Sequence, residues 1–335
     1  TLTFVTKIEK KADGFAVTCV SREGMLDFTA KALVLATGCR ERTAKQVLIQ
    51  GTRPAGVFTA GTAQNFVNLM GKMPAKKCVI LGSGDIGLIM ARRLTLEGAE
   101  VEGVYEVKPE PSGLTRNIHQ CLHDFDIPLH LSHTVTRVFG VDRLTAVEVA
   151  EVDGNMKPIK GTERVVECDA LILSVGLIPE NELAESLGVK INPFTKGPDC
   201  DQTYMSSVDG GFSAGNALNV FDLVDYVSEC AADAGANAAH FTPSGGCVRL
   251  ERGKGLLSYV PHRIDLSKPH DKVVFFFRSA KDMDRGTLKI TADGKEVYKK
   301  KFAFLRPPEM QRVEIDCSAF GLSAKSSVSV ELEEN

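Results

Sequence analysis

The sequence predicts an α/β protein that carries a small all-β domain at its C-terminal end. Two observations support the α/β class: an apolar run leads into a glycine-rich turn and an amphipathic stretch, and two further small-residue turns follow short apolar strands. After a Pro-Ser-Gly-Gly turn, short alternating apolar runs continue to the end of the chain, which predicts the β domain. The predicted domains are residues 1–75 with 194–245, residues 76–193, and residues 246–335.

The composition is that of an ordinary globular protein of two or three domains. The 335 residues are 43% hydrophobic and 25% charged, and their net charge is −3. This charge argues against a general nucleic-acid binder, and no apolar run is long enough to cross a membrane. The cysteines are scattered without a C-x-x-C pair, which disfavours a disulfide scaffold and a cysteine-rich metal site. A reduced, cytoplasmic setting is therefore expected.

The first 38 residues read as strands. Apolar and polar residues alternate in three runs, which the turns at Asp13-Gly14 and Arg22-Glu23-Gly24 separate. A short buried strand then ends in the small-residue turn Ala36-Thr37-Gly38.

The most specific motif is Gly82-Ser83-Gly84-Asp85-Ile86-Gly87, the G-x-G-x-x-G fingerprint of dinucleotide-binding turns. An apolar strand precedes it, and an amphipathic helix and a short strand ending at Glu106 follow it. Gly82 permits the tight turn, Gly84 lets backbone approach a pyrophosphate, and Gly87 lets the helix pack closely on the sheet. This order of elements predicts a Rossmann-like unit rather than a glycine-rich turn in a nucleotide-free domain.

Glu106 determines which nicotinamide cofactor we expect. A carboxylate about twenty residues past the glycines accepts hydrogen bonds from the adenosine ribose and repels a 2′-phosphate. We therefore expect NADH to be favoured over NADPH, although the neighbouring Lys108 weakens that preference. The N–H groups at the start of the helix near Asp85 would face the phosphates.

The remaining patterns concern the second half of the chain. The turn Gly211-Phe212-Ser213-Ala214-Gly215-Asn216 precedes a helical candidate over residues 220–240. Residues 246–335 predict a β-sandwich or barrel with a net positive charge, whereas the rest of the chain is negative. This difference in net charge between the two parts of the chain is compatible with a homo-oligomer, with a partner surface and with a solvated face.

Four histidines between residues 119 and 133 raise the question of a metal site. His119 and His123 have the i, i+4 spacing of ligands on a helix, and Asp124 lies beside them. The stretch lacks the H-E-x-x-H order and a third ligand, so we predict no metal site. Because no Ser-His-Asp or paired-carboxylate arrangement is visible, no catalytic residue is assigned.

Three motifs in one order carry a resemblance to a known family: Ala36-Thr37-Gly38, the fingerprint at 82–87 and the turn at 211–216. Residues 1 to about 245 resemble the pyridine nucleotide–disulfide oxidoreductases, flavoproteins that bind two dinucleotides. In that family the first and last turns belong to an FAD domain, into which the NAD domain is inserted. The segments that most resemble the subunits accompanying anaerobic glycerol-3-phosphate dehydrogenase are 36–42, 56–64, 82–87 and 173–181.

The resemblance implies roles for residues outside the fingerprint. Thr37 and Gly38 would lie against FAD, and Gly176 would lie near the nicotinamide side of the NAD site. Gly215 and Asn216 stand where the family has Gly-Asp, whose acid binds the ribityl chain. Asparagine keeps an acceptor there and adds a donor. The following helix, expected from residue 220, would aim its N-terminus at the flavin.

Two departures from the family pattern limit this resemblance. The first strand, glycine-rich turn and helix of an FAD domain are not found, so the chain reads as an N-terminally truncated flavoprotein. We expect FAD to bind weakly or not at all to this chain, and the chain to be inactive by itself. The dithiol of the disulfide-reductase branches is also missing from the NAD domain.

The predicted function of the intact protein is FAD-dependent hydride transfer between NAD(P)H and flavin. The onward partner is an unknown acceptor, a companion dehydrogenase subunit or a small electron carrier. The alternative is an NAD-binding assembly or electron-transfer subunit of a multi-subunit dehydrogenase, without independent turnover. Reduction of an artificial acceptor by NADH separates the two hypotheses.

Overall fold

The computed structural model describes residues 1–335 and divides into two compact units. One unit consists of Thr1–Cys39 with Pro179–Asn335, and the other is Arg40–Ile178. The inserted unit therefore begins well before the predicted residue 76 and ends before the predicted residue 193. Residues 246–335, predicted as a separate domain, fall within the first unit.

The first unit opens with an antiparallel meander. Its strands are β1 (Phe4–Lys11), β2 (Gly14–Ser21) and β3 (Gly24–Ala30), followed by the short β4 (Leu33–Leu35). β1, β2 and β3 pair in chain order, as the alternating pattern predicts. Alternate residues of β2, among them Phe15, Val17 and Cys19, bury one face of the meander.

The inserted unit contains a parallel sheet, a smaller sheet and three helices. Its strands and those at its two ends are β5 (Cys39–Glu41), β6 (Gln50–Gly51), β7 (Val57–Thr59), β8 (Lys77–Leu81), β9 (Glu100–Glu106), β10 (Leu129–Leu131), β11 (His133–Gly140), β12 (Leu144–Glu151), β13 (Arg164–Glu167), β14 (Ala170–Leu173) and β15 (Leu177–Pro179). Its helices are α1 (Ala60–Asn68), α2 (Asp85–Leu96) and α3 (Thr115–Cys121).

Two layers cover the parallel sheet of the inserted unit. Five strands pair in the order β10-β9-β8-β14-β7, all parallel. Successive residues of β8 enter different cores: Cys78 and Ile80 pack with the helices, whereas Val79 and Leu81 pack with β11 and β12. Burial on both faces explains the continuous apolar run that marked this strand in the sequence.

The parallel pairing of β7 with β14 places a strand that precedes residue 76 in the sheet of the inserted unit. Residues 57–59 add the last strand of the inserted sheet, and α1 contributes Ala60 and Ala63 to its core. The segment from 40 to 75 therefore belongs to the inserted unit. A three-residue strand is too short to reveal its sheet from sequence periodicity.

After the insertion the first unit resumes with short elements and then a two-sheet domain. These elements are α4 (Glu182–Ser186), β16 (Gly211–Ser213), α5 (Val224–Ala239), β17 (Cys247–Arg252), β18 (Leu256–Val260), β19 (Arg263–Asp265), β20 (Val273–Ser279), β21 (Met283–Ala292), β22 (Lys295–Leu305), β23 (Gln311–Ile315) and β24 (Val328–Glu334). β16 pairs in parallel with β4. α5 begins at Val224 rather than residue 220, because Phe221 N donates to the Asn216 side chain in a preceding turn.

The C-terminal region is a sandwich rather than a barrel. The sheet β19-β17-β24-β21-β22 faces the sheet β18-β20-β23 across a shared apolar core, to which Phe275 and Phe277 contribute. The edge strand β22 carries a run of lysines over residues 299–301, a composition that discourages edge-to-edge pairing with other chains. No helix of the described chain combines the length and apolar character that crossing a bilayer requires.

Candidate functional site

The glycine-rich turn follows β8 and packs against the segment after β14. Gly82 has φ +100°, and a Cβ added there would lie 2.1 Å from the Ser174 carbonyl oxygen. A Cβ on Gly87 would lie 2.5 Å from the Gly82 oxygen and 2.9 Å from Ser174 Cβ. Both positions therefore require glycine for close packing, as the fingerprint predicts.

Gly84 is different, because the space in front of it is open. The nearest atom to a Cβ added at Gly84 would be Ser174 Oγ, at 3.9 Å. Gly84 is the N-cap of α2 and supplies no side-chain hydrogen bond to the first turn, and Ile86 in that turn is 40% exposed. An open, uncapped start of a twelve-residue helix fits a pyrophosphate.

Glu106 lies at the end of β9, beside the turn, and is only 4% exposed. Its Oε2 accepts hydrogen bonds from Ser83 N at 3.0 Å and from Ser83 Oγ at 2.5 Å. Its Oε1 accepts one from Lys108 N at 3.0 Å. The predicted ribose ligand thus also orients the turn, and Oε1 keeps one lone pair for a further donor.

A segment after β9 is fastened to the same turn. Asp85 Oδ1 accepts hydrogen bonds from Leu114 N at 2.8 Å and Asn117 Nδ2 at 2.7 Å. Ser112 N donates to Ser83 Oγ at 2.8 Å. Asp85, included among the predicted cofactor contacts, therefore has protein partners for this oxygen. Nothing in the spacing of the sequence signalled this contact, since its partners lie about thirty residues downstream at the start of α3.

Gly113 fixes how closely that segment approaches the turn. A Cβ at Gly113 would lie 2.6 Å from Leu88 Cδ1 and 2.8 Å from the Ser83 carbonyl oxygen. The segment over residues 112–117 is consequently packed closely against Ser83, Asp85 and Leu88. Gly176, which follows β14 at the same edge of the sheet, has φ +97° and open space at its Cβ position.

The residues expected to contact flavin form a second group, in the first unit. The parallel pair β4 and β16 brings the turn after Leu35 beside the turn after Ser213. Thr37 Oγ1 donates to the Glu180 carbonyl at 2.5 Å, and the Gly38 carbonyl accepts from Glu180 N at 2.9 Å. Gly38 and Gly215 have φ +71° and +62°.

Both polar atoms of the Asn216 side-chain amide contact other residues of the protein. Its Oδ1 accepts a hydrogen bond from Phe221 N at 3.1 Å, and its Nδ2 lies 3.6 Å from Cys39 Sγ. The structure thus brings Thr37, Gly38, Gly215 and Asn216 to one edge of two strands. A ribityl contact there would have to share the amide with these partners.

The histidines and cysteines do not form a metal or dithiol site among the described residues. The Nδ1 atoms of His119 and His123 lie 3.0 Å apart, and no group of three or more His, Cys, Asp or Glu could hold a metal ion. The ring of His130 stacks on Tyr105 at 4.6 Å, and burial lowers the pKa of that imidazole. No two of the nine cysteines are joined in a disulfide.

Comparison with known proteins decides the family. The model of the pyridine nucleotide-disulphide oxidoreductase family matches residues 1–231. The chain belongs to this family. Its members bind FAD and NAD(P), and the two-unit α/β architecture is theirs, which confirms the predicted fold class.

Individual members of the pyridine nucleotide-disulphide oxidoreductase family match parts of the chain. The chain is 25% identical over 233 residues to an NADH oxidase of Methanocaldococcus jannaschii, and the aligned region covers 67% of this chain and 48% of the relative. It is 31% identical over 175 residues to the hydrogen cyanide synthase subunit HcnB of Pseudomonas aeruginosa, covering 47% and 37%. A NAD-dependent persulfide reductase from A. fulgidus shares the fold, with a TM-score of 0.58 and 18% identity over 95% of this chain and 57% of that chain.

These matches also define how much of a family member is present. The chain spans about half or less of the length of the two curated relatives. Within it, the G-x-G-x-x-G turn lies in the inserted unit, whereas the residues predicted to face flavin lie after two short parallel strands.

Proposed function

We propose that the protein containing this chain is a FAD-dependent NAD(P)H oxidoreductase that passes electrons to an acceptor or partner protein. The observation that carries the proposal is the open, uncapped glycine-rich turn after β8, set in a chain of this family. When bound, nicotinamide and flavin supply the hydride chemistry between them. The protein then has to bind and orient the cofactors, so no acidic or basic side chain is assigned to the reaction.

Each part of the inserted site has a proposed task. The backbone at Gly84 and the first turn of α2 bind the pyrophosphate, since the uncapped N–H groups favour an anion. Glu106 accepts from the adenosine ribose through its remaining lone pair, while Ser83 holds that carboxylate in place. Gly176 lies on the nicotinamide side, where its missing side chain leaves room.

Substitution at Gly84 tests the dinucleotide site without disturbing the fold. Gly84 has φ −64° and ψ 160°, which valine adopts freely, and a Cβ there meets no atom closer than 3.9 Å. We expect Gly84→Val to raise the dissociation constant of NADH by at least about tenfold, because the side chain fills the approach of the pyrophosphate. NADH fluorescence titration measures this, with thermal unfolding as the check on folding.

Gly154→Val is the matched control. Gly154 lies in the turn after β12, also with no atom within 4 Å of its Cβ position. This variant should bind NADH as the wild type does. Wild-type affinity in Gly84→Val would refute the proposed site, as would an absence of saturable NADH binding to the unmodified chain.

We further propose that the site prefers NADH to NADPH. The carboxylate of Glu106 is buried beside the position proposed for the ribose, and a 2′-phosphate there would meet a negative charge. Parallel titrations with NADH and NADPH test this, and equal or tighter binding of NADPH would exclude it.

For FAD we propose weak binding to this chain by itself. The residues proposed to face flavin are supported by two short strands, and Asn216 is engaged with Phe221 and Cys39. Purified chain should therefore show less than stoichiometric flavin absorbance near 450 nm after incubation with FAD and gel filtration. A stoichiometric yellow complex would overturn this part of the proposal.

A second candidate function is that of an NAD-binding component of a larger dehydrogenase, without independent turnover. Two relatives favour it, since one is a subunit of hydrogen cyanide synthase and the other is a subunit of the opine oxidase of Agrobacterium tumefaciens. The partner would be a companion dehydrogenase subunit or a small electron carrier, and the motif resemblance favours glycerol 3-phosphate metabolism as the context. Diaphorase activity of the whole protein with an artificial acceptor supports the enzyme, and flavin that NADH cannot reduce supports the second candidate.

A further inference from the structure

The inserted unit contains a cavity of about 280 Å³ that the dinucleotide site does not use. Its walls come from the segment over residues 43–54, from β7 and from single residues of β11 and β14. None of the fingerprint residues, Glu106 or Gly176 lines it. The volume exceeds the roughly 150 Å³ that suffices for a benzene molecule in a protein core.

The wall formed by residues 43–54 is fixed by the protein. Gln50 and Gly51 pair in parallel with β11, and Thr52 Oγ1 donates to the Gly140 carbonyl at 2.6 Å. Gly51 has φ +110°, and a Cβ there would lie 2.2 Å from the Val138 carbonyl oxygen. The cavity is therefore formed before any ligand arrives, which lowers the entropic cost of binding.

The interior of the cavity and its rim differ in chemistry. Ile49 and Leu173 are buried apolar residues, and Val138 continues the same surface. The rim carries two exposed cations, Lys45 and Arg53. No carboxylate lies within 4 Å of either cation, and no acidic residue lines the cavity. An apolar interior below unpaired positive charge selects an apolar ligand with an anionic end.

We propose that this cavity binds a small organic acid with an aromatic or branched aliphatic body. The apolar body lies against Ile49, Val138 and Leu173, where it is removed from water. The carboxylate faces Lys45 and Arg53, whose attraction for it is strongest at low ionic strength. This site is separate from the proposed NAD(P) site, so an experiment can refute the proposal for one site and leave the proposal for the other intact.

Isothermal titration calorimetry of the full chain with 3-phenylpropionate tests the proposal. We expect saturable binding with one site per chain in low salt. The uncharged isostere 3-phenylpropionamide should bind at least about tenfold more weakly, because it lacks the charge that faces the two cations. Lys45→Gln/Arg53→Gln should weaken 3-phenylpropionate binding by a similar factor and leave the amide unchanged.

The matched control is Lys72→Gln/Lys160→Gln, which removes the same charge from exposed lysines of the same unit that do not line the cavity. It should change the affinity for 3-phenylpropionate less than twofold. Both double variants should bind NADH like the wild type. The proposal is overturned by an absence of saturable binding up to 10 mM (roughly the weakest useful range), by equal binding of acid and amide, or by equal loss in the control.

Discussion

At the scale of single residues, the three glycines of the fingerprint have different reasons to be glycine. Ser174 closes in Gly82, and Ser174 together with the Gly82 carbonyl oxygen closes in Gly87, so their lack of a side chain serves the packing of the turn. Gly84 faces open space, and its lack of a side chain serves an approaching ligand. Substitutions at Gly82 and at Gly84 should therefore have different effects: the first lowers the stability of the fold, and the second weakens ligand binding.

Substitution of Gly82 should unfold the inserted unit rather than merely block its ligand. Alanine at φ +100° with its Cβ 2.1 Å from a backbone oxygen combines strain with a collision. We expect Gly82→Ala to lower the free energy of unfolding by more than about 2 kcal/mol. Urea unfolding followed by far-UV circular dichroism measures this loss. Gly154→Ala, at an open turn, should stay close to wild type, and equal stability of the two variants would contradict the packing role.

At the scale of elements, a polar cluster around the buried Asp199 and His262 joins the segment before β16 to the sandwich. Asp199 Oδ2 pairs with Arg249 at 2.7 Å, and its Oδ1 pairs with Arg263 at 3.0 Å. His262 Nδ1 accepts from Cys200 N at 3.1 Å, while its Nε2 has no partner. Burial lowers the pKa of His262 to about 4, Asp199 opposes this shift, and the two arginines assist it.

This shift predicts acid sensitivity of the first unit. The folded state holds His262 neutral, whereas the unfolded chain takes up a proton on this residue near pH 6.5. The free energy of unfolding is therefore at its full value above that pH and decreases as the pH falls toward 4. Between pH 7.5 and 5 the loss should be about 2 kcal/mol. Urea unfolding at both pH values measures it. The variant His262→Asn keeps an acceptor for Cys200 N and should lack this pH dependence of the free energy of unfolding. If the variant showed the same pH dependence as the wild type, other groups would be responsible for it.

At the scale of the whole molecule, the chain is one compact unit interrupted by another. Arg40–Ile178 contains the G-x-G-x-x-G turn and the cavity below Lys45 and Arg53, and the remainder contains the sandwich. Ligands of the inserted unit should therefore stabilise it in preference to the other. The stabilities of the two units can be measured separately, since one unit can open locally while the other stays folded.

Hydrogen exchange with and without NADH tests that separation. At 100 times its dissociation constant, NADH should add about 2.7 kcal/mol to the stability of the state that binds it. We expect added protection within residues 77–117, where the turn, α2 and the segment fastened to Asp85 lie. Residues 246–335 serve as the internal control and should exchange at unchanged rates. Protection spread evenly over the whole chain would contradict independent units.

Much of this protein could be predicted from local patterns. The strand, turn, helix and strand around the fingerprint follow from an apolar run, obligatory glycines and helical periodicity, all of which act within about thirty residues. The meander and the sandwich strands follow from alternation and turn residues in the same way. The start of α5 was predicted four residues too early, because the bond from Phe221 N to Asn216 is a side-chain contact that periodicity does not encode.

By itself, the sequence determined the kind of elements, their order, the position of the dinucleotide turn and the acid at Glu106. Only the tertiary structure decided that β7 closes the inserted sheet, so that the unit begins at Arg40. It alone decided that Ser83 holds Glu106, that Asp85 accepts hydrogen bonds from Leu114 and Asn117, and that a cavity forms beneath Lys45 and Arg53. The physical reason is distance along the chain: local periodicity fixes elements, whereas these contacts join residues that only packing brings together.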